Sequence, residues 1–325
     1  MAASLAVTLT AVAALAACGS SANPPAVQAF QSRAAVHAPS APPARVPDSE
    51  TTHVAVIVME NKEFGEVIGS SSAPFINGLA RRYALAKDMY AASHPSLPNY
   101  LALTGGSTFG IASDCTECSV GAGPNLAAQL STAHMSWKAY MEDLPHPCFA
   151  GASAGDYAKK HDPFIYYAAI RNNPRLCRQI VPLTQLAADE RSARLPMFVW
   201  ITPNLCHDMH DCPVSTGDRF LSMLVPRLLR SLGPGGVLFL TWDEGSSATG
   251  CCRLASGGHI ATILAGPGAR PRAQLTTRTD HYSVLQTIED LLGVSRLRGA
   301  GCACTPSLKP LLAAAGAPQG AASGW

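Results

Sequence analysis

Between residues 53 and 293, short continuous apolar runs alternate with stretches of helical spacing. The apolar runs have the length and composition typical of buried strands. They are 53–61 (HVAVIVMEN), 84–93 (ALAKDMYAAS), 195–204 (LPMFVWITPN), 235–245 (GGVLFLTWDEG) and 259–268 (HIATILAGPG), with a further extended segment at 136–143. Helical spacing covers 73–84, 125–133, 216–233 and 280–293. This alternation predicts an α/β fold with a mostly parallel central sheet and helices on both faces.

Two of the predicted helices carry special residues. Pro226 lies inside the helix at 216–233 and is expected to kink it, because proline removes one backbone hydrogen bond. The helix at 280–293 reads as amphipathic and ends at Gly293, a typical C-terminal cap.

The ends of the chain differ in composition from its middle. Residues 1–18 are small and apolar and end in LAAC, which resembles a lipoprotein export signal with lipidation at Cys18. The alternative is an ordinary signal cut at a nearby small residue. Residues 19–50 predict a flexible Pro/Ala/Ser-rich linker, 51–298 the folded domain, and 299–325 a low-complexity tail in which SLKPLLAA could dock. We expect an exported protein, either a cell-envelope lipoprotein or a secreted one.

Composition and charge exclude some classes of function. The chain of 325 residues is 47% hydrophobic and 14% charged, so a sizeable core is expected and wholesale disorder is not. Lys and Arg number 24 against 22 Asp and Glu, and no basic cluster suggests a nucleic-acid partner. We expect a monomer.

Without Cys18, ten cysteines remain, and an even number in an exported chain predicts disulfides. The connectivity stays open at this point. Local closures are Cys115–Cys118, Cys206–Cys212 and Cys302–Cys304. The adjacent Cys251 and Cys252 are expected to pair with different, distant partners.

Polar residues follow four of the apolar runs, where the strands are predicted to end. They are Glu60-Asn61, Ser93-His94-Pro95-Ser96, Asn204 with the following LCHDMHD, and Asp243-Glu244. Each acid alone would most simply be a solvated loop residue. Together they predict one site, because ligands bind beyond the carboxyl ends of parallel strands.

Carboxylate, amide and hydroxyl oxygens in this arrangement favour a divalent cation. Such an ion could lower the pKa of a serine hydroxyl and offset the charge of a phosphoryl group. The prolines of SHPSLPNY (93–100) suit a turn into the first residues of a helix, whose N–H groups would face the same anion.

These motifs resemble a known family. MEN, SHPSLPNYLALTGG, PNLCHDMHDC, TWDEG and DHYSVLQTIEDLLG occur in the order typical of the bacterial acid phosphatase/phospholipase C phosphoesterases. That family belongs to the alkaline-phosphatase-like superfamily, and the resemblance extends over residues 53 to 297. It is greatest to secreted acid phosphatases, which include phosphatidylinositol-3-phosphatases.

The resemblance implies roles for particular residues. Glu60, Asp243 and Glu244 would bind the metal, and Asn61 would contact metal or phosphate. Related nucleotide pyrophosphatases carry a nucleophilic threonine before FPNH, which aligns with SLPNY and makes Ser96, also a metal ligand, the nucleophile. Ser93 would only end the strand.

The histidines leave more alternatives open. CHDMHDC could suggest structural zinc, but its spacing and the expected export favour a disulfide. The superfamily's Asp-x-x-x-His pair is here Asn204 and Asp208, a departure that favours one catalytic metal: calcium, magnesium, or zinc if histidines join. His207, His210 and His259 are candidates for phosphate binding or acid–base catalysis, and each could instead be structural.

Three more residues are candidates near the site. His94 and Asn204 are candidates for substrate binding, although His94 could instead pack beneath the turn. His281 lies before the last helix, where it could adjoin the site, or Asp280 could simply cap that helix.

The resulting prediction is a metal-dependent phosphoric monoester hydrolase that acts through a phosphoserine intermediate. Its substrate would be a small phosphomonoester or a phosphoinositide lipid. The alternatives are a phospholipase C-type phosphodiesterase and a catalytically inactive binding lipoprotein.

Overall fold

The computed structural model describes residues 53–252 and 255–314. In chain order its strands are β1 (Val54–Met59), β2 (Ala84–Tyr90), β3 (Trp137–Met141), β4 (Ser153–Ala154), β5 (Tyr157–Ala158), β6 (Ile180–Pro182), β7 (Phe198–Thr202), β8 (Val237–Trp242), β9 (His259–Ala265), β10 (Gln274–Leu275) and β11 (Thr279–Asp280). Its helices are α1 (Phe64–Val67), α2 (Pro74–Arg82), α3 (Ser96–Gly105), α4 (Leu126–Thr132), α5 (Ala168–Arg171), α6 (Pro174–Cys177), α7 (Leu186–Arg191), α8 (Val214–Ser231) and α9 (His281–Leu292).

One nine-stranded sheet organises the domain. Its order is β10-β2-β9-β8-β1-β7-β3-β6, with β11 also pairing with β2. Strand β1 pairs in parallel with both β7 and β8, whereas β9 is antiparallel to its neighbours β2 and β8. Every residue of β1, β7 and β8 is buried, so both faces of the central sheet are covered. The predicted α/β fold with a mostly parallel sheet is confirmed.

Helix α8 continues through Pro226 to Ser231. The bond that proline removes would have reached the carbonyl of Ser222, one turn earlier. Both residues lie on the half-buried side of the helix, while Leu221, Leu224 and Leu228 face the core. The loss of one backbone bond therefore falls where solvent can reach it.

Helix α9 is capped as the sequence predicts, by Asp280 at its start and by Gly293 in the left-handed conformation at its end. The helix has no solvent-exposed face over most of its length, because every residue from 281 to 289 is buried. The following chain covers the side that would face solvent: Leu308 and Leu311 are fully buried, and the amide of Gln286 donates to the carbonyl of Ala300 at 2.9 Å. The packed chain thus continues beyond residue 298, and SLKPLLAA docks on it.

The described residues contain five disulfides. Three are the local closures Cys115–Cys118, Cys206–Cys212 and Cys302–Cys304, and a fourth is Cys148–Cys177. The expectation of distant partners for Cys251 and Cys252 was wrong: they bond to each other. The eight other cysteines of the domain pair among themselves, so no distant partner is left for either.

The signal at 1–18 with Cys18, the linker at 19–50 and the end of the tail lie outside the described residues. Within the described part of the chain, no helix is both long and apolar enough to cross a bilayer.

Candidate active site

A sharp turn between β2 and α3 places Ser96 at the first position of the helix. The side chain of Asn99 fixes this turn from inside: its carbonyl accepts from the N–H of Ser93 at 2.8 Å. Its amide donates to the carbonyls of Ser93 and Pro95, at 2.8 and 3.1 Å. The peptide bond between His94 and Pro95 is cis. Short-range sequence thus determines where the Ser96 hydroxyl points.

Ser96 is 1% exposed and lies between two acids. Its Oγ is 3.1 Å from Oε2 of Glu60, at the end of β1, and 3.4 Å from Oε1 of Glu244, beyond the end of β8. A hydroxyl has one proton and can donate to only one of these carboxylates at a time. The strand ends that the sequence singled out therefore meet at one serine.

Asp243 completes this group of acids. Its Oδ1 accepts from the N–H of Asn61 at 3.0 Å and from the N–H of Glu244 at 2.6 Å. Its Oδ2 is buried and has no hydrogen-bond partner among the described residues. Asn61 adopts a left-handed backbone (φ 51°), which brings its N–H toward Asp243. One carboxylate oxygen is held in place and the other stays free for a ligand.

His161, which the sequence analysis did not single out, lies on the other side of Glu60. It is buried in the 3₁₀ turn Lys159–His161, with Nε2 3.3 Å from Oε2 of Glu60 and Nδ1 3.3 Å from Oδ2 of Asp208. Among the described residues, neither ring nitrogen nor Oδ2 of Asp208 makes a well-directed hydrogen bond, so these are close contacts rather than hydrogen bonds. The ring stacks on Tyr100, whose hydroxyl donates to Oε1 of Glu60.

Burial among like charges shifts the pKa values of this cluster. Burial, followed by repulsion from Asp243 and Asp208, raises the pKa of Glu60 well above its ordinary value. Burial likewise raises the pKa of Asp208 to about 8, and burial with repulsion from Asp243 raises that of Glu244 to about 7. Burial lowers the pKa of His161 to about 3, so this ring is neutral and offers a lone pair.

These residues fit a divalent cation. Four buried atoms without hydrogen-bond partners converge here: Oδ2 of Asp243, Oδ2 of Asp208 and both ring nitrogens of His161. Ligand atoms of Glu60, His161 and His210 lie within 4.8 Å of one another. Buried carboxylates and imidazoles left unpaired in this way are costly unless a cation binds them. The atoms that could bind the cation therefore include both carboxylate oxygens and imidazole nitrogens.

His94 and Lys160 place positive charge at two edges of the cluster. Nδ1 of His94 contacts Oε2 of Glu244, and Nε2 lies 3.0 Å from the carbonyl of Ser247. Burial lowers the pKa of His94, but these acceptors outweigh it, so the net shift is upward. On the other side, Nζ of Lys160 lies 3.2 Å from both Nε2 of His210 and Oδ2 of Asp114.

Asp114 connects the Lys160 edge to the turn at Ser96. Its Oδ1 accepts from the N–H of Leu97 at 2.9 Å, directly after Ser96. His210 is oriented from its other side by Oδ1 of Asp211, 2.6 Å from Nδ1. Of the candidate histidines in CHDMHDC, His210 is therefore the one beside the acids.

The structure places three other candidate residues in different surroundings. His207 lies against the carboxylate of Glu142 at 3.0 Å and stacks on Phe220. Asn204 accepts from the N–H of His207 at 2.8 Å, so its side chain shapes the same loop. His259 stacks on Phe64, and its Nε2 lies 2.7 Å from the carbonyl of Lys87.

His281 is a buried residue that links two chain segments of the site. Its Nε2 lies 3.0 Å from the carbonyl of Trp242, which directly precedes Asp243. Its Nδ1 accepts from the N–H of Ala92, at the end of β2, at 3.3 Å. The ring thus joins the two chain segments that carry Asp243 and Ser96.

Comparisons with known proteins identify relatives of this chain. The model of the Phosphoesterase family matches residues 70–295. The chain is 34% identical to a phosphatidylinositol-3-phosphatase of Mycobacterium tuberculosis, over 75% of this chain and 78% of that protein. It is 29% identical to an acid phosphatase of Aspergillus fumigatus, over 86% of this chain and 63% of that protein.

Two solved structures resemble the fold. One is an alkaline phosphatase superfamily protein of Vibrio parahaemolyticus, with a TM-score of 0.53 and 14% identity over 78% of this chain and 70% of that one. The other is murine ectonucleotide pyrophosphatase/phosphodiesterase 5, with a TM-score of 0.53 and 11% identity over 81% of this chain and 100% of that one. The predicted alkaline-phosphatase-like fold is confirmed.

Proposed function

Because the chain belongs to the Phosphoesterase family, we propose that it is a phosphoric monoester hydrolase in which Ser96 is the nucleophile. The observation that carries the proposal is the buried hydroxyl of Ser96 between Glu60 and Glu244, beside carboxylate and imidazole atoms that make no hydrogen bond among the described residues. A hydroxyl held against two buried acids is poorly placed for a structural role and well placed for reaction.

Seven residues offer ligand atoms, of which a single zinc ion would use about four. They are Glu60, Ser96, Asp208, Asp243, Glu244, His161 and His210. When bound, a divalent cation lowers the pKa of a serine hydroxyl and offsets the charge of a phosphoryl group. The nitrogen donors His161 and His210 favour zinc over calcium or magnesium, which prefer oxygen ligands. Asn61 would contact the cation or the phosphate.

The residues of the site divide the reaction between them. Oγ of Ser96 gives its proton to an adjacent carboxylate and attacks phosphorus, the bond from phosphorus to the ester oxygen breaks, and the departing alkoxide takes up that proton and leaves as an alcohol. Lys160 and, when protonated, His94 flank the acids and would face the charge of the phosphoryl oxygens. Water then attacks the phosphoserine, the bond from phosphorus to Oγ breaks, one proton of that water returns to Oγ, and inorganic phosphate leaves.

The substrate class is proposed from the relatives. One of them is named a phosphatidylinositol-3-phosphatase and several are named acid phosphatases, so a phosphoinositide or a small phosphomonoester is the proposed substrate. Five disulfides suit export, which is also proposed, together with lipidation at Cys18.

The proposed function is tested by phosphate release from a panel that includes phosphatidylinositol 3-phosphate, chromogenic monoesters and a chromogenic diester, with and without chelator. We expect monoesters to be hydrolysed and chelation to stop the reaction, with recovery when zinc is added back. Faster hydrolysis of the diester would indicate a phosphodiesterase instead. Inactivity throughout the panel, with no bound divalent ion, would indicate a binding protein.

Metal binding is expected to release protons. In the metal-free protein, the pKa values of about 8 for Asp208 and about 7 for Glu244 keep these two carboxyl groups partly protonated near neutral pH, and the pKa of Glu60 is raised as well. Ligands must be deprotonated to bind, so affinity should fall and proton release should rise as the pH drops from about 9 to about 6. Calorimetry in buffers of different ionisation enthalpy measures both quantities. Zinc binding without proton release at the lower pH would contradict the expectation.

A further inference from the structure

A groove of about 460 Å³ runs along α1, α2, β2 and the edge strand β10. Its apolar lining comes from Phe64, Ile68 and Leu85. The charged part of its lining is entirely basic: Arg81, Lys87 and Arg272. An apolar base with a cationic rim suits a molecule or surface that is both apolar and anionic.

The three cations of the groove have no ion-pair partner among the described residues. Arg81, Lys87 and Arg272 are exposed, and none of them is in a salt bridge in the described part of the chain. The exposed Arg270 and Arg278, which flank β10, have none either. Uncompensated positive charge is therefore concentrated here in a chain whose net charge is only +2.

The acids near the groove are engaged elsewhere. Oε1 of Glu63 accepts from the N–H of Ser247 at 2.8 Å, and Oε2 of Glu66 accepts from the N–H of Glu63 at 2.8 Å. Asp88 accepts from the hydroxyl of Tyr90 at 3.3 Å. None of these three acids lines the groove, so the charge of its lining is positive.

The groove lies next to chain segments that lead to the site. Phe64 follows Glu60 by four residues, and its ring lies 4.7 Å from that of His259. His259 is tied to the groove through the carbonyl of Lys87, 2.7 Å from Nε2. At its other end, the N–H of Arg272 bonds to the carbonyl of Arg82, beside the start of β2.

We propose that this face docks the protein on an anionic phospholipid surface. Arg81, Lys87 and Arg272 contact lipid phosphates there, and the aliphatic stems of these residues extend the apolar lining toward the head groups. A soluble phosphomonoester does not need such a face, whereas an ester carried by a lipid does. The proposal adds a docking surface to the proposed phosphatase and does not depend on its chemistry.

The test is sedimentation of the full chain, carrying Cys18→Ser to prevent acylation, with vesicles of phosphatidylcholine alone or mixed with phosphatidylglycerol. Phosphatidylglycerol is a diester, so its binding does not report on monoester turnover. We expect preferential binding to the anionic vesicles, which weakens as salt is added. The double variant Arg81→Glu/Arg272→Glu should lose at least about tenfold in partitioning, because each basic residue near the surface contributes.

The matched control is Arg175→Glu/Arg178→Glu, which makes the same charge change on α6, before β6 at the opposite edge of the sheet. It should bind anionic vesicles like the parent chain. Both double variants should keep the melting temperature and the turnover of a soluble monoester, and Arg81→Gln/Arg272→Gln should give an intermediate loss. Three results would overturn the proposal. They are equal binding of the parent to both vesicle types, parental binding by Arg81→Glu/Arg272→Glu, and a loss of binding in the control equal to that of this variant. Failure of the phosphatase assay alone would overturn only the proposed function.

Discussion

Replacing Ser96 with alanine is expected to reduce turnover of a soluble chromogenic phosphomonoester by about 10³-fold or more, since loss of a nucleophile removes the covalent route. The substitution deletes one oxygen at the start of α3, where the turn is fixed by Asn99 rather than by Ser96. The fold should therefore be retained, and metal content at saturating metal should fall little, because six other candidate ligands remain. Initial rates, a melting curve and metal analysis on the same preparation measure all three.

Ser93→Ala is the matched control, because it deletes the same atom three residues earlier. Among the described residues, the Ser93 hydroxyl bonds only to the carbonyl of the adjacent His94, at 3.1 Å, and to none of the acids. Its turnover should stay close to that of the parent. Near-parental activity in Ser96→Ala, or an equal loss in both variants, would contradict the assignment of the nucleophile.

Asp243→Asn is expected to weaken metal binding and to lower turnover by about 10²-fold or more, because an anionic ligand becomes neutral. An asparagine carbonyl can still accept from the N–H groups of Asn61 and Glu244, which the Oδ1 of Asp243 now does. The change also removes one of the charges that repel Glu60. The metal-free variant should thus melt at the same temperature as the metal-free parent, or higher.

The control for this variant is Asp290→Asn, the same substitution on the surface, where Asp290 pairs with Arg296 and Lys309. It should leave metal content and turnover unchanged, since exposed pairs contribute little. Full metal occupancy in Asp243→Asn at limiting metal, or a melting temperature well below that of the metal-free parent, would show that Asp243 serves structure rather than binding.

The sequence could predict the part of the site that follows strands. Glu60, Ser96, Asp243 and Glu244 each come after an apolar run, and parallel strands bring such ends to one edge of a sheet. The structure has Ser96 within 3.4 Å of two of these acids. Periodicity and topology were sufficient to bring these strand ends together, whereas the choice of Ser96 over Ser93 rested on the family resemblance.

His161 could not be predicted in this way. It lies in a short 3₁₀ turn between β5 and the turn Pro163–Tyr166, away from the end of any long strand. Its closeness to Glu60 and Asp208 arises from tertiary packing on Tyr100. The only local signal was a histidine in KKHDP, which has no periodic pattern. Asp208 was noted only for its spacing from Asn204.

Two misjudged features share a cause. The bond between Cys251 and Cys252 depends on where the other cysteines lie, and that is a property of the whole fold. The burial of α9 likewise depends on residues 299–314, which cover it from outside the predicted domain. Local pattern shows what a segment can form, but not what later segments will pack on it.

The central claim, that Ser96 carries the phosphoryl group during turnover, is tested most directly by trapping that intermediate. The protein is mixed with a phosphomonoester, quenched in acid within the first turnovers, digested and mapped by mass spectrometry. We expect phosphate on Ser96 of the parent, and none on that peptide in Ser96→Ala. Phosphate on another residue, or hydrolysis at the full rate with Ser96 unmodified in every quench, would contradict the account.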